Sequence, residues 1–168
     1  MPYSDNSNVE WIRWILDLHK PTSAVDLGAG AGKYGKLIKE VLPECHVTGV
    51  EIWGPYIKEF DLESIYDKVI ICDARIFPKF DRDLVIFGDV LEHMTSNEAI
   101  AIWEKVSKQA KFAIISIPII HYHQDEYAGN PFEAHVDPDW NHERVLESFS
   151  GITGYQLYPE TGVYFAEF

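Results

Sequence analysis

The sequence predicts an α/β fold in which a doubly wound, mainly parallel sheet forms a single domain over residues 1–168. Short apolar runs of strand length alternate along the chain with segments whose apolar residues recur at helical spacing. The first of these strands runs into a glycine-rich segment with Gly28, Gly30, Gly32 and Gly35, which forms a turn and then the start of a helix. Such alternation places parallel strands in one sheet with helices over both faces.

The individual elements follow from apolar periodicity and from the residues that begin or end them. A helix is predicted before Pro21, because Val9, Ile12 and Ile15 recur at helical spacing. Thr95 and Glu98 match a capping box that opens a later helix, reaching residue 108. The predicted strands cover 23–27, 46–52, 68–72, 84–88 and 112–117, the other helices cover 33–41, 55–66 and 140–149, and a hairpin of 155–158 and 163–168 closes the sheet.

Composition and charge narrow the class of protein. No run approaches the ~20 apolar residues of a membrane span, so no membrane partner is expected. The first residues lack a basic region followed by an apolar run, and Cys45 and Cys72 are too few for a disulfide framework. These observations predict a cytoplasmic protein. The net charge of −13 disfavours nucleic acid as a partner and favours small molecules or sugars.

An acidic residue stands at the end of each of the first four predicted strands, namely Asp26, Glu51, Asp73 and Asp89. Ligands of doubly wound sheets bind at these carboxyl ends. Asp26, two residues before Gly28, would repel a pyrophosphate but would suit a ligand that carries an ammonium and a sulfonium group. The backbone N–H groups at the start of the next helix would hold the carboxylate of the same ligand. S-adenosylmethionine is such a ligand.

The motifs at these strand ends resemble those of class I S-adenosylmethionine-dependent methyltransferases, over nearly the whole chain. The resemblance is carried by residues 25–32, by Glu51, by Asp73 and by the run from Asp89 to His93. It implies a seven-stranded sheet of order 3-2-1-4-5-7-6 with strand 7 antiparallel, and S-adenosylmethionine as the cofactor.

The resemblance also implies a role for each part of the cofactor site. Asp26 and the glycine turn would meet the methionine portion, Glu51 the ribose hydroxyls and Asp73 the adenine amino group. The chemistry is suitable, since the two oxygens of one carboxylate match two vicinal hydroxyls. Residues around Asp89 would lie near the sulfonium, and Trp53 would pack on the adenine. The implied cofactor-binding residues are Asp26, Gly28, Ala29, Gly30, Gly32, Tyr34, Glu51, Ile52, Trp53, Asp73, Ala74, Asp89, Val90 and Leu91.

Two other functions remain open. The run from Gly30 to Gly35 matches the G-x-G-x-x-G pattern of NAD-dependent oxidoreductases, with Glu51 at a suitable distance downstream. Asp26 argues against that function, because a pyrophosphate would lie close to its charge. Alternatively, the chain binds S-adenosylmethionine without catalysis, as a regulatory or partner subunit.

Residues 118–141 form a long loop rich in titratable groups, where the acceptor of the methyl group is expected to bind. Its histidines have three open interpretations: ligands of a metal, a general base for the acceptor's proton, or solvated loop residues. We predict His135, and after it His121, as the base, and no metal, because displacement at a sulfonium needs none. The predicted acceptor-binding residues are His93, His123, Glu133 and Trp140.

The predicted reaction is an in-line displacement that methylates an oxygen or a nitrogen of a small-molecule or glycan acceptor. No large cap domain is visible, so the acceptor site would come from the N-terminal segment, from the 118–141 loop or from the second copy in a homodimer. The segment from Asn130 to His135, followed by Trp140, resembles the acceptor-side loop of some small-molecule and glycan-modifying methyltransferases.

Overall fold

The computed structural model of the chain describes residues 6–168, and the expectation about an export signal falls on residues 1–5, outside that range. Within it the strands are β1 Ser23–Leu27, β2 His46–Glu51, β3 Lys68–Ile71, β4 Leu84–Gly88, β5 Phe112–Pro118, β6 Ile152–Leu157 and β7 Thr161–Glu167. The α-helices of the same range are α1 Val9–His19, α2 Lys33–Val41, α3 Pro55–Glu59, α4 Leu62–Ile65, α5 Ser96–Val106 and α6 His142–Ser148.

The sheet confirms the predicted fold class. Over the described residues its strand order is β3-β2-β1-β4-β5-β7-β6, and β7 runs antiparallel to both of its neighbours while the other pairs are parallel. β7 pairs with β5 from Phe112 opposite Glu167 to Pro118 opposite Thr161. The reversed β7 distinguishes this sheet from the order 3-2-1-4-5-6 of dinucleotide-binding domains.

Several predicted element boundaries differ from those of the structure, and two of the differences have a clear local cause. The helix predicted over 55–66 is two short helices, because Asp61 adopts a left-handed φ of +50° between α3 and α4. α6 begins at His142 rather than at residue 140, since the Asn141 side chain accepts the backbone N–H of Arg144 and caps the helix. The closing hairpin is longer than predicted, because β6 already begins at Ile152.

Apolar residues fill both faces of the sheet. α5 covers one face and opens with the predicted capping box, in which Thr95 and Glu98 each accept the other's backbone N–H. Trp103 of α5 is buried there against the rings of Phe87 and Phe149. α1 and α2 cover the opposite face. In the part of the chain that the structure describes, no helix is both long and apolar enough to cross a membrane.

We expect Trp103→Ala to lower the free energy of unfolding by about 3–5 kcal/mol, because it leaves a large cavity between α5 and the sheet. Urea unfolding at constant pH measures this change. Trp14→Ala is the matched control, since Trp14 is 58% exposed on α1 and its loss should change the free energy by less than about 0.5 kcal/mol. Similar losses in the two variants would contradict the placement of Trp103 in the core.

Candidate functional site

A cleft lies at the carboxyl ends of β1, β2, β3 and β4, and its volume is about 900 Å³ when the solvent-filled space at its entrance is included. This is the edge at which doubly wound sheets bind their ligands. The strand-end acids Glu51, Asp73 and Asp89 all line the cleft. The other lining residues are Gly28, Ala29, Gly30, Lys33, Tyr34, Val50, Ile52, Cys72, Ala74, Arg75, Gly88, Val90, His93, Met94, Asn130, Phe132 and Glu133.

The glycine turn after β1 lines the cleft and is held by the neighbouring strand. Gly28 and Gly30 have φ values of +72° and +49°, a left-handed conformation that glycine adopts at little cost. The carbonyl of Val50 in β2 accepts the backbone N–H groups of both Gly28 and Ala29, at 2.9 and 3.0 Å. The protein alone therefore keeps this turn in shape.

Glu51 extends the same support with its side chain. One carboxylate oxygen accepts the backbone N–H of Gly30 at 2.9 Å, and the other accepts that of Trp53 at 2.7 Å. Burial raises the pKa of Glu51, and the backbone N–H groups of Trp53, Gly30 and Ile52 oppose that shift. Each carboxylate oxygen has room for a further hydrogen bond, so Glu51 can still receive two hydroxyl groups from a ligand.

Asp73 is paired with Arg75, two residues further along the chain. Nε of Arg75 lies 2.9 Å from each oxygen of Asp73, and the same guanidinium reaches Glu98 at 3.1 Å. The hydrogen bond from Arg75 is the main reason that the pKa of Asp73 is lowered. Asp73 therefore presents a charged carboxylate in the cleft, but it shares that carboxylate with Arg75.

A chain of hydrogen bonds links the start of α1 to the cleft. The buried Asn8 side chain accepts from Nζ of Lys33 at 2.8 Å and donates to the hydroxyl of Ser116 at 2.9 Å. That hydroxyl in turn donates to the carboxylate of Asp89 at 2.8 Å. Lys33 lines the cleft at the N-terminus of α2, so a positive side chain and a helix start face the same space.

Asp26 does not line the cleft, which corrects the interpretation that its carboxylate meets a ligand directly. It is fully buried, and one of its oxygens accepts the hydroxyl of Tyr66 at 2.6 Å. Burial raises the pKa of Asp26 to about 7, against the opposing hydrogen bonds of Tyr66 and Gly35. Gly35 is also explained by Tyr66, since a Cβ at that position would lie 2.3 Å from its ring. The third glycine of the G-x-G-x-x-G pattern thus serves internal packing.

Glu92, His93 and His135 come together beside the cleft. A potential ligand atom of each lies within 4.8 Å of those of the other two. Nδ1 of His93 lies 3.1 Å from the Ala134 carbonyl, and Nδ1 of His135 lies 2.6 Å from the Tyr122 carbonyl. Because a carbonyl only accepts, both Nδ1 atoms carry the proton and both Nε2 atoms carry a lone pair. Burial raises the pKa of Glu92 and lowers those of His93 and His135.

Three other predicted residues of the loop lie elsewhere. His121 and His123 are exposed and lie outside the lining of the cleft, because this part of the loop runs over the surface. His121 pairs with Asp139, and His123 pairs with Asp125. They therefore form no cluster with His135. Trp140 is buried and stacks on Phe149 with ring centroids 5.4 Å apart, so it anchors the loop instead of facing an acceptor. The predicted His93 and Glu133 do line the cleft.

Gly32, Trp53 and Leu91 also lie outside the lining of the cleft. Leu91 is fully buried in the core, and a Cβ on Gly32 would lie 2.6 Å from the side chain of Ile65. The ring of Trp53 packs in a tilted orientation near the ring of Phe132, with 6.3 Å between the ring centroids. Four further residues that line the cleft are not among the predicted site residues: Lys33, Arg75, Asn130 and Phe132. Lys33 stands at the end of the glycine turn, and Asn130 and Phe132 lie in the segment that resembles an acceptor-side loop, whereas nothing in the sequence marks Arg75.

No protein-family model matches the chain, and no curated protein matches it in sequence. Solved structures do match. The mitomycin 7-O-methyltransferase MmcR has a TM-score of 0.66 and 14% identity over 96% of this chain and 54% of its own. A second match is the 1,6-didemethyltoxoflavin-N1-methyltransferase of Burkholderia thailandensis, solved with 1,6-didemethyltoxoflavin and S-adenosylhomocysteine. It has a TM-score of 0.67 and 15% identity, and the match covers 97% of this chain and 79% of its own. The N-terminal domain of EvdMO1, solved in the presence of S-adenosylhomocysteine and D-fucose, has a TM-score of 0.68 and 12% identity. The match covers 98% of this chain and 84% of that domain's chain.

These likenesses are likenesses of fold. The chain spans about half the length of the first of these structures, and all three identities are low. The strand order and the antiparallel β7 nevertheless agree with the sheet that the resemblance to class I methyltransferases implies. The chain has the class I methyltransferase fold.

We expect Asp26→Asn to flatten the pH dependence of stability. In the unfolded chain the pKa of an aspartate is about 3.9, whereas burial raises that of Asp26 to about 7 in the folded protein. Between these values the folded state binds a proton that the unfolded state has lost. Stability therefore falls as pH rises through this window, by at most about 1.4 kcal/mol per pH unit from this group.

Urea unfolding at several values between pH 5 and pH 8 tests this. The wild-type protein should lose more stability across the range than Asp26→Asn, and Asp17→Asn, at an exposed position on α1, should keep the wild-type slope. Parallel curves for wild type and Asp26→Asn would show that Asp26 does not titrate in this window.

Proposed function

We propose that the chain is an S-adenosylmethionine-dependent methyltransferase of a small-molecule or glycan acceptor, forming one domain over residues 1–168. The observation that carries this proposal is the cleft itself. Glu51, Asp73 and Asp89 line it from the ends of β2, β3 and β4, in a sheet with a reversed β7. The solved structures named above support it, because two of them are described as methyltransferases and two contain or were grown with S-adenosylhomocysteine.

The donor groups of the cleft fit S-adenosylmethionine. Lys33 and the N-terminus of α2 suit the carboxylate of the methionine part, and the charge of Asp89 suits its positive sulfur. Glu51 has free lone pairs for the two ribose hydroxyls. Asp73 offers an acceptor for the adenine amino group.

The role of these residues is to bind and orient. When bound, S-adenosylmethionine would supply an electrophilic methyl group. An acceptor oxygen or nitrogen would attack that carbon in line, and the C–S bond would break with its electron pair staying on the sulfur of the departing S-adenosylhomocysteine. Because charge is neutralised in that step, the chain need not stabilise a new anion. Positioning two reactants in a site that excludes water lowers the barrier by itself.

The 118–141 loop supplies the acceptor side of this proposal. Asn130, Phe132 and Glu133 line the cleft from the loop, and His135 packs against His93 with ring centroids 4.8 Å apart. Methylation of a hydroxyl releases a proton, and we assign activation of that hydroxyl to His135, with its Nε2 lone pair. A homodimer that completes the acceptor site and a cytoplasmic location belong to the same proposal. The free thiols of Cys45 and Cys72 suit a reducing compartment.

Calorimetry with S-adenosylhomocysteine and with NADH tests the cofactor. We expect the former to bind and the latter not to bind. Glu51→Gln should weaken the binding of S-adenosylhomocysteine by about 10- to 150-fold. This factor corresponds to the loss of about 1.5–3 kcal/mol for hydrogen bonds to a charged group. Glu59→Gln, at an exposed position of α3, is the control and should bind as wild type. Binding of NADH without binding of S-adenosylhomocysteine would overturn the proposal.

Turnover with a panel of hydroxyl and amine acceptors tests the loop. For a hydroxyl acceptor, His135→Ala should lower kcat by about 10²–10⁴-fold, with little change in the affinity for S-adenosylhomocysteine. His121→Ala removes an exposed histidine of the same loop and should retain turnover. Full turnover by His135→Ala would refute its role. Binding of S-adenosylhomocysteine without any product would favour a non-catalytic subunit.

A further inference from the structure

We propose that Glu92, His93 and His135 form a binding site for one divalent transition-metal cation, of the class of Zn²⁺, Mn²⁺ or Co²⁺, on the acceptor side of the cleft. A potential ligand atom of each residue lies within 4.8 Å of the others. Two imidazoles and one carboxylate form a donor set that such cations prefer. This inference replaces the expectation from the sequence that no metal takes part.

The two histidines are oriented as metal ligands commonly are. Nδ1 of each donates to a backbone carbonyl, that of Ala134 for His93 and that of Tyr122 for His135. In metal sites the nitrogen that does not bind the ion is usually held by such a bond, which fixes the tautomer and the direction of the ring. The lone pair of each ring is then on Nε2.

Glu92 lacks a partner for part of its carboxylate. Its side chain is only 2% exposed, and Oε2 has no hydrogen-bond partner among the described residues. A buried polar atom without a partner is costly and calls for an explanation. Carboxylates also stand at Asp89 and Glu133, whose charges act on this cluster. A cation between the two rings would supply Glu92 with the missing partner.

The backbone brings the three residues together without using their potential ligand atoms. The Glu92 carbonyl accepts the N–H groups of Val136 and Asp137 at 2.9 and 3.0 Å. Arg144 of α6 holds Asp137 in a salt bridge, with one N–O distance of 2.9 Å. Metal–ligand distances of about 2.1 Å in a tetrahedron place ligand atoms about 3.4 Å apart, so side-chain rotation must draw them closer than they now lie.

Three protein ligands leave a coordination position open for an acceptor oxygen. A cation there would lower the pKa of a bound hydroxyl, whose proton would leave to solvent. The Nε2 lone pair of His135 would then bind the cation and could not accept the proton, so His135 would activate the acceptor through the cation instead of acting as a general base. This catalytic consequence rests on the proposed function, whereas binding of the cation does not.

Titration with Co²⁺ tests the site. The full chain, stripped of metal by dialysis against a chelator, is titrated without any other ligand while its visible absorption is recorded. We expect saturation at one equivalent, with absorption bands of protein-bound Co²⁺ that added Zn²⁺ removes. Glu92→Gln and His135→Ala should weaken binding by at least the 10- to 100-fold seen when mere supporting residues of metal sites are lost. His121→Ala and His123→Ala, which remove exposed histidines of the same loop, should bind as wild type.

The absence of saturable binding by the wild-type protein would overturn the inference, and so would wild-type affinity in both Glu92→Gln and His135→Ala. An equal loss in the His121→Ala or His123→Ala control would do the same. Calorimetry with S-adenosylhomocysteine on the metal-free protein separates this inference from the proposed function. If that ligand binds and Co²⁺ does not, only the metal site fails. If Co²⁺ binds and that ligand does not, only the proposed function fails.

Discussion

The end of β2 holds the glycine turn, and the rest of the cleft depends on that support. A turn with several left-handed residues leaves backbone N–H groups that have no hydrogen-bond acceptor within the turn itself. Here the Val50 carbonyl takes two of them and the Glu51 carboxylate takes a third, that of Gly30. The start of α2 and the ends of the neighbouring strands are therefore fixed relative to one another before a ligand arrives. Preorganisation of this kind reduces the entropy that binding must otherwise remove.

The fold was accessible from the sequence because its determinants are local. Apolar periodicity marks each strand and helix, and the acids at Glu51, Asp73 and Asp89 mark the ends of parallel strands. The order of the strands came from resemblance, since pairing between distant segments leaves little trace in one sequence. Breaks such as the one at Asp61 were missed, because no glycine or proline announces its left-handed conformation.

The sequence predicted the site correctly only where the role of a residue does not depend on its packing against distant residues. Asp26 was misread because burial and direction depend on which face of β1 the helices cover, and Tyr66 reaches it from 40 residues away. Arg75 was overlooked, although its guanidinium donates hydrogen bonds to the Asp73 carboxylate. The meeting of His93 and His135 depends on how the loop lies against the turn after β4, which backbone hydrogen bonds between distant residues determine.

Asn8 gives α1 a second role besides packing. Its side chain joins the start of that helix to Lys33 on α2 and to Ser116 on β5. A ligand that tightens the grip of Lys33 would also tighten the attachment of α1, and linkage is reciprocal. Any partner that pulls the start of α1 away from the sheet would thus loosen the ligand. The attachment of α1 through Asn8 and the binding of a ligand by Lys33 would in this way be coupled.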